Sequence, residues 1–298
     1  MSSFWSWWII VIVVINIGGS LLLLLANRKV EVRGGKSDEI PTTGHIYDGI
    51  EEYDNPLPRW WFNMFLITVI FSVVYLALYP GLGNFRGFLG WTSTGQLDQE
   101  LAAAEEKYGP IFNQYMDDTI EELAANPDAL KMGARLFANN CAVCHGSDGR
   151  GNYGFPNLAD DDWLYGGQPE NIKTSIVQGR NGIMNPWGDV IGEEGVVASA
   201  NYVLKLSGRD HDAGQAAEGE KVYATYCSAC HGADGKGNQT LGAPNLTDNT
   251  WLYGGSPEII KHTIRNGRQG KMPAHGDLLK ENRIHLLTAY VYSLSRND

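Results

Sequence analysis

The sequence contains the same five-residue pattern twice, at residues 141–145 (CAVCH) and 227–231 (CSACH). Two cysteines separated by two residues and followed by histidine form the attachment motif of a c-type haem. The thiols form thioethers to one porphyrin, and the imidazole binds its iron as the proximal ligand. A zinc site or a redox dithiol also uses paired cysteines, but zinc needs four ligands and the motifs use all four cysteines of the chain. The pattern therefore predicts two covalently bound haem c groups, at Cys141, Cys144 and His145 and at Cys227, Cys230 and His231.

The residues after each motif are also repeated. The sequence CAVCHGSDGRGN at 141–152 returns as CSACHGADGKGN at 227–238, and both copies continue with PNL, WLYGG and a Gly-Arg-x-Gly-x-Met segment. Self-similarity of this kind indicates two copies of one folding unit. We expect two tandem domains, at residues 127–208 and 209–298.

Each repeat offers one methionine as the second axial ligand of an iron. Met184 and Met272 are the only methionines after the haem motifs, and both end the Gly-Arg-x-Gly-x-Met segment. Histidine with methionine is a ligand pair of electron-transfer cytochromes. We expect ligation within a domain by default, while the spacing leaves an exchange of methionines between the domains open. His275, three residues after Met272, is a weaker competitor.

Two further pairs of residues have expected roles near the haems. Pro156 and Pro244 resemble the cytochrome c proline whose carbonyl accepts a hydrogen bond from the axial histidine. Arg180 and Arg268 could pair with haem propionates because guanidinium suits carboxylate. An arginine solvated in a loop is an equal alternative.

Helical segments flank each motif. We expect lead-in helices at 127–140 and 214–226 and last helices at 195–206 and 281–294. The repeats resemble the small class I cytochrome c fold, in which the first and last helices cross at a glycine with aromatic residues beside it. The resemblance implies such a crossing in each repeat, involving Gly133, Phe137 and Tyr202 in the first and Gly219, Tyr223 and Tyr290 in the second.

Two apolar runs precede the repeats, at residues 7–26 and 60–79. Each has 20 residues and no charge, about the length that a helix needs to cross the hydrocarbon core. A cleaved signal peptide is the alternative for the first run, but no basic residue precedes it. Lys and Arg are concentrated in the connection at 27–59, so the positive-inside rule places that connection in the cytoplasm and the haem domains outside.

The remaining segments and the charge narrow the classes of function. Composition indicates a membrane anchor at 1–96, with a loop at 44–61 and a flexible exit at 81–96. Residues 97–126 form an acidic helical connector with a break at Gly109 and Pro110, either a spacer or a docking surface for a basic partner. The formal net charge of −11 argues against nucleic-acid binding, which requires a basic face.

The whole arrangement resembles the dihaem cytochrome c subunit, subunit III, of the cbb3-type cytochrome c oxidases. The resemblance covers nearly the whole chain and depends on residues 48–61 (DGIEEYDNPLPRWW) and on the paired Gly-Arg-x-Gly-x-Met segments. Many members have a single span, so the helix at 7–26 departs from the family pattern.

The resemblance implies a mainly α fold, with two N-terminal transmembrane helices followed by two tandem class I cytochrome c domains. It also implies electron transfer in a bacterial inner membrane, with the haem domains in the periplasm. The implied partners are a haem-copper catalytic subunit, a mono-haem cytochrome c subunit and a soluble or membrane-bound cytochrome c donor, with oxygen as the final acceptor. No residue of this chain resembles an oxygen-reducing site. Two alternatives stay open, a dihaem carrier of a dehydrogenase or nitric oxide reductase and a dihaem peroxidase with one open axial position.

Overall fold

The computed structural model describes residues 1–28, 42–53 and 57–296, and the chain divides into two compact units, Met1–Lys107 and Tyr108–Asp298. The described residues are mainly helical, as the sequence predicts. Parts of the predicted cytoplasmic connection, residues 29–41 and 54–56, lie outside the described residues.

The first unit contains two long apolar helices, α1 (Ser3–Ala26) and α2 (Arg59–Leu78). Both are long and apolar enough to cross a membrane, and almost none of their side chains are buried within the protein. A helix satisfies its own backbone hydrogen bonds, which suits a hydrocarbon environment. The Ser6 hydroxyl of α1 accepts a hydrogen bond of 2.9 Å from the Asn84 backbone N–H, which ties α1 to the segment after α2. Helices therefore form at both predicted spans.

A β-hairpin occupies part of the segment for which composition indicates a loop. Strands β1 (Thr42–Tyr47) and β2 (Ile50–Tyr53) pair antiparallel. Asp48 and Gly49 connect them with φ values of 50° and 83°, the left-handed conformation of a two-residue hairpin turn. The expectation of a loop is therefore wrong for residues 44–53, because the Asp-Gly turn lets the flanking residues pair.

Helix α3 (Ser93–Asn113) begins before the expected start at residue 97 and continues through Gly109 and Pro110. The expected break at 109–110 is therefore wrong. Proline removes only its own backbone N–H donor, and α3 ends at Asn113, three residues after Pro110. Helix α4 (Ile120–Ala124) follows and begins at a capping box formed by Thr119 and Glu122.

The two repeats in the second unit have the same order of elements: a lead-in helix, a one-turn helix with the haem motif, a third helix, a short strand and a last helix. The first repeat contains α5 (Pro127–Asn140), α6 (Ala142–His145), α7 (Pro169–Gln178), β3 (Arg180–Met184) and α8 (Gly188–Leu206). The second contains α9 (Ala213–Tyr226), α10 (Ser228–His231), α11 (Pro257–Asn266), β4 (Arg268–Met272) and α12 (Glu281–Leu294).

The two repeats exchange their last helices. Helix α12 packs on α5 and α7, whereas α8 packs on α9 and α11. We call residues 127–178 with 268–294 the His145 lobe, and residues 213–266 with 180–206 the His231 lobe. This packing differs from the expectation that each repeat joins its own first and last helices. A six-residue connection (207–212) links α8 to α9, and connections this short make consecutive helices antiparallel neighbours.

Each lobe has its own apolar core, and each core contains residues of both repeats. In the His145 lobe, Phe137 of α5 and Ile172 of α7 pack with Leu287 of α12. In the His231 lobe, Ile260 of α11 packs with Leu204 of α8. Burial of apolar side chains is the main driving force of folding, so the lobes, rather than the contiguous repeats, are the units of packing.

The predicted helix crossings form with exchanged partners. Gly133 of α5 lies against Tyr290 of α12, where a Cβ on residue 133 would come within 2.6 Å of the tyrosine Cβ. The Phe137 and Tyr290 rings are 5.4 Å apart at their centres. Glycine therefore allows the two helices to approach closely. The equivalent crossing in the His231 lobe involves Gly219 and Tyr223 of α9 with Ala198 and Tyr202 of α8.

Strands β3 and β4 form an antiparallel ribbon with one strand from each repeat. Its register pairs Arg180 with Met272, Gly182 with Gly270, and Met184 with Arg268. Side chains alternate between the faces of a strand, and these three pairs form the half-buried face. The ribbon therefore brings the two methionine-bearing segments together.

Candidate functional site

Both candidate axial histidines are fixed by a proline carbonyl, as the sequence predicts. His145 Nδ1 lies 2.9 Å from the Pro156 oxygen, and His231 Nδ1 lies 3.0 Å from the Pro244 oxygen. The Nδ1–H donates to that oxygen and leaves Nε2 for a metal ion. Burial lowers the pKa of both imidazoles, and the carbonyl hydrogen bond opposes this shift. Each histidine is therefore neutral at pH 7, the form that binds iron.

The first cysteine of each motif lies in an apolar environment. Burial raises the pKa of the Cys141 and Cys227 thiols to about 11, and the second cysteine of each motif adds to the shift. Cys141 packs against the core of the His145 lobe. A buried thiol with a raised pKa forms little thiolate at pH 7.

The two methionines lie in the lobes opposite to those of their own motifs. Met272 packs against the core of the His145 lobe, as Cys141 and Trp163 also do. Met184 packs against the core of the His231 lobe, as Trp251 also does. The first motif therefore shares a lobe with Met272 and the second with Met184, which departs from the expected arrangement within each domain.

One buried polar atom in the His231 lobe fits an anionic cofactor. The indole Nε1–H of Trp251 is buried and has no hydrogen-bond partner among the described residues. An unpaired buried donor costs about 1–3 kcal/mol. The carboxylates of a haem would satisfy this donor, so the residues present fit the group that the motif predicts.

The two arginines of the ribbon are half-buried cations. The guanidinium of Arg180 lies 4.5 Å from the Tyr165 ring centre, and that of Arg268 lies 4.4 Å from the Tyr253 ring centre. Neither forms an ion pair with the described carboxylates. The structure thus holds both arginines in place, and their pairing with propionates stays a prediction.

His275, the weaker ligand candidate, takes part in the contact between the repeats. Its backbone N–H donates to the Ile176 carbonyl at 2.9 Å, and its Nδ1 is buried without a partner among the described residues. Trp187 occupies the equivalent position of the first repeat and donates to the Ile264 carbonyl at 3.0 Å. These matching hydrogen bonds hold the exchanged segments against α7 and α11.

Sequence reasoning missed two residues, Tyr165 and Tyr253, each of which lies near one of the two methionine segments. Both belong to the repeated WLYGG sequence, and both rings contact the ribbon through the arginines. Their recurrence at the same spacing as the methionines was the signal that could have identified them.

These features define a class of protein. The chain has two helices that could span a membrane, and each lobe combines a Cys-x-x-Cys-His motif, a proline-anchored histidine and a methionine. This combination is that of a membrane-anchored c-type cytochrome with two cytochrome domains.

Comparison with known proteins identifies the family. The family described as cytochrome c oxidase, cbb3-type, subunit III, matches residues 128–203 and 214–291. The N-terminal domain of cytochrome oxidase-cbb3, FixP, matches residues 39–86. The chain therefore belongs to the subunit III family of the cbb3-type cytochrome c oxidases.

Curated relatives agree with this assignment. The chain is 48% identical over 259 residues to the cbb3-type cytochrome c oxidase subunit CcoP of Rubrivivax gelatinosus, with 86% of this chain and 85% of the relative covered. It is 40% identical over 285 residues to CcoP of Cereibacter sphaeroides, with coverage of 88% and 97%. It is also 40% identical over 282 residues to the FixP subunit of Azorhizobium caulinodans, with coverage of 89% and 95%. The resemblance is confirmed, and the cbb3 oxidase is favoured over the alternative complexes and the peroxidase.

Family membership has three consequences. The cytochrome domains are haem c domains, the chain associates with an oxidase complex, and its role is electron transfer. The two apolar helices anchor it in a membrane.

Proposed function

We propose that this chain binds two haem c groups and passes electrons, one at a time, from a cytochrome c donor to the haem-copper subunit of a cbb3-type oxidase. The observation that carries the proposal is that each of the two lobes combines a motif, a fixed histidine and one methionine. The first haem is held by Cys141, Cys144 and His145, and the second by Cys227, Cys230 and His231.

The protein residues fix the position and the coordination of each group. When bound, a c-type haem supplies one-electron redox chemistry. The cysteines attach it covalently, the proline carbonyl orients the histidine, and the apolar core excludes water. Met184 and Met272 would supply the second protein ligand to each iron, a ligand set that suits electron transfer rather than oxygen binding.

We infer that the methionine ligands are exchanged between the repeats. Met272 would complete the His145 site, and Met184 would complete the His231 site. Two observations support the exchange: the packing of each methionine in that lobe and the antiparallel ribbon that holds both segments.

Stoichiometry and ligand variants test the proposal in the full-length chain, purified in detergent. A haem-to-chain ratio of two is expected, and a ratio of one would contradict it. Cys227→Ala with Cys230→Ala removes the second haem. In that background, Met272→Ala should abolish the methionine-to-iron absorption band, whereas Met184→Ala should leave it.

The reciprocal set guards against a variant that fails to fold. In a Cys141→Ala, Cys144→Ala background, Met184→Ala should abolish the band and Met272→Ala should leave it. The opposite result in both backgrounds would show ligation within each repeat and refute the exchange.

The specific partners and the membrane orientation are also proposed. The excess of Lys and Arg in the connection at 27–59 supports haem lobes on the periplasmic side of a bacterial inner membrane. We expect mild detergent extraction to recover this chain with a haem-copper subunit and a mono-haem cytochrome c subunit, and with cyanide-sensitive oxygen uptake. Proteolysis of intact spheroplasts should remove the haem lobes. Full protection of the lobes would show that they lie on the cytoplasmic side instead.

A further inference from the structure

We propose that Tyr253 is a positioning residue for the axial ligands of the His145 pocket, and that Tyr165 has the same role for the His231 pocket. Each pocket would then depend on a side chain from the other lobe. The inference rests on the proposed exchange of methionines and extends it to the residues that hold the ligand segments.

The first contact is on the histidine side. A Cβ on Gly154 would lie 3.2 Å from the Tyr253 ring, and the Gly154 N–H donates to the Leu252 carbonyl at 2.8 Å. Gly154 is two residues before Pro156, whose oxygen accepts from His145. Tyr253 therefore packs directly on the loop that orients the histidine of the other lobe.

The second contact is on the methionine side. A Cβ on Gly270 would lie 3.5 Å from the Tyr253 hydroxyl, and Gly270 is two residues before Met272 on β4. Both residues lie on the half-buried face of the ribbon. One tyrosine thus touches the segment of the histidine and the segment of the methionine that we assign to the same iron.

Tyr165 repeats both contacts in the His231 pocket. Its ring lies against Gly242, two residues before Pro244, and leaves no room for a Cβ there. A Cβ on Gly182, two residues before Met184, would lie 3.3 Å from its hydroxyl. The same pair of contacts therefore occurs twice, once in each pocket.

An arginine holds each ring in place. The Arg268 guanidinium lies 4.4 Å from the centre of the Tyr253 ring, and its Nε donates to the Thr263 hydroxyl at 2.9 Å. Arg180 lies 4.5 Å from the Tyr165 ring and donates to the Ser175 hydroxyl at 2.8 Å. A cation over an aromatic face is attracted by the ring quadrupole. Each arginine therefore holds its tyrosine ring in one orientation.

Competition with imidazole tests the role in the full-length, dihaem chain. Exogenous imidazole displaces a methionine ligand, and the Met184→Ala and Met272→Ala variants assign each phase of the titration to one haem. Tyr253→Leu should strengthen imidazole binding at the His145 haem by about tenfold, equivalent to ~1.4 kcal/mol. Tyr165→Leu should do the same at the His231 haem.

Two further variants separate positioning from general destabilisation. Tyr253→Phe keeps the ring against Gly154 and Arg268 but removes the hydroxyl that lies near Gly270, so it should restore part of the wild-type affinity. Tyr47→Leu, which removes an exposed tyrosine of β1 in the first unit, should leave both phases unchanged. Equal strengthening at both haems by Tyr253→Leu, without rescue by phenylalanine, would show only general loosening and overturn the inference.

The outcomes also separate this inference from the proposed exchange. If the methionine variants show ligation within each repeat, the exchange itself fails. If they confirm the exchange but Tyr253→Leu alters the His231 haem or neither haem, only the role of the tyrosines is refuted.

Discussion

Truncation of Leu287 should destabilise the lobe of the first haem motif, although this residue belongs to the second repeat. Leu287 of α12 is fully buried and packs in the core of the His145 lobe with Phe137 and Ile172. Replacement of a buried leucine by alanine costs about 2–5 kcal/mol, from lost burial and the cavity that remains. We expect Leu287→Ala to lower the free energy of unfolding of that lobe by this amount.

Hydrogen–deuterium exchange of peptides can locate the effect without reference to the haems. Amides that exchange through opening of the lobe should exchange about 30-fold faster for a loss of ~2 kcal/mol. The faster peptides should be those of α5 and α7, which contact α12, while those of α9 and α11 keep their protection.

Leu204→Ala is the matched control. Leu204 of α8 is 4% exposed and packs with Ile260 and Ile264 in the core of the His231 lobe. This variant should deprotect α9 and α11 instead. If Leu287→Ala deprotects α9 and α11, and Leu204→Ala deprotects α5 and α7, each repeat folds on itself and the exchanged packing is wrong.

Three other changes test separate features of the second unit. Gly219→Val places a side chain against the Ala198 carbonyl at the α8–α9 crossing. This overpacking should lower the free energy of unfolding, measured with denaturant, by about 1–3 kcal/mol. An unchanged unfolding midpoint would mean that the two helices are not close. Thr119→Ala removes the capping box of α4 and should cost about 1 kcal/mol, seen as faster amide exchange confined to residues 117–126; exchange as slow as wild type would contradict the cap. Burial raises the pKa of Tyr223 to about 12, so the folded chain holds this proton more tightly than the unfolded chain. The resulting contribution to the free energy of unfolding is complete below pH ~10 and declines as the pH rises towards ~12. Tyr223→Phe should reduce that alkaline loss of stability, and an equal loss in the variant would assign it to other groups.

Much of the site follows from local sequence. The haem motifs, the proline that orients each histidine and the lead-in helices all involve residues within about 15 positions of one another, so repeated sequence is sufficient to predict them. The two spans could also be predicted from the sequence, because length and lack of charge alone specify a helix that can cross the hydrocarbon core. Helix α12 begins and ends where its apolar pattern predicts.

Two other local predictions are wrong because glycine, proline and acidic residues were given too much weight. Pro110 and Gly109 indicated a break, yet α3 continues past them. The glycine-rich and acidic composition around residue 49 indicated a loop, although the Asp-Gly turn closes a hairpin.

The partners of the last helices were decided only by the tertiary structure. Because the repeats are so similar, α8 and α12 present nearly equivalent surfaces, and their periodicity is the same whether they pack within a repeat or across repeats. The sequence by itself predicted the candidate haem-binding residues, most of the helices of the second unit and the two long apolar helices of the first. The short connection at 207–212 and the β3–β4 ribbon decided which methionine shares a lobe with each histidine, because packing depends on chain connections and distant contacts that no local pattern contains.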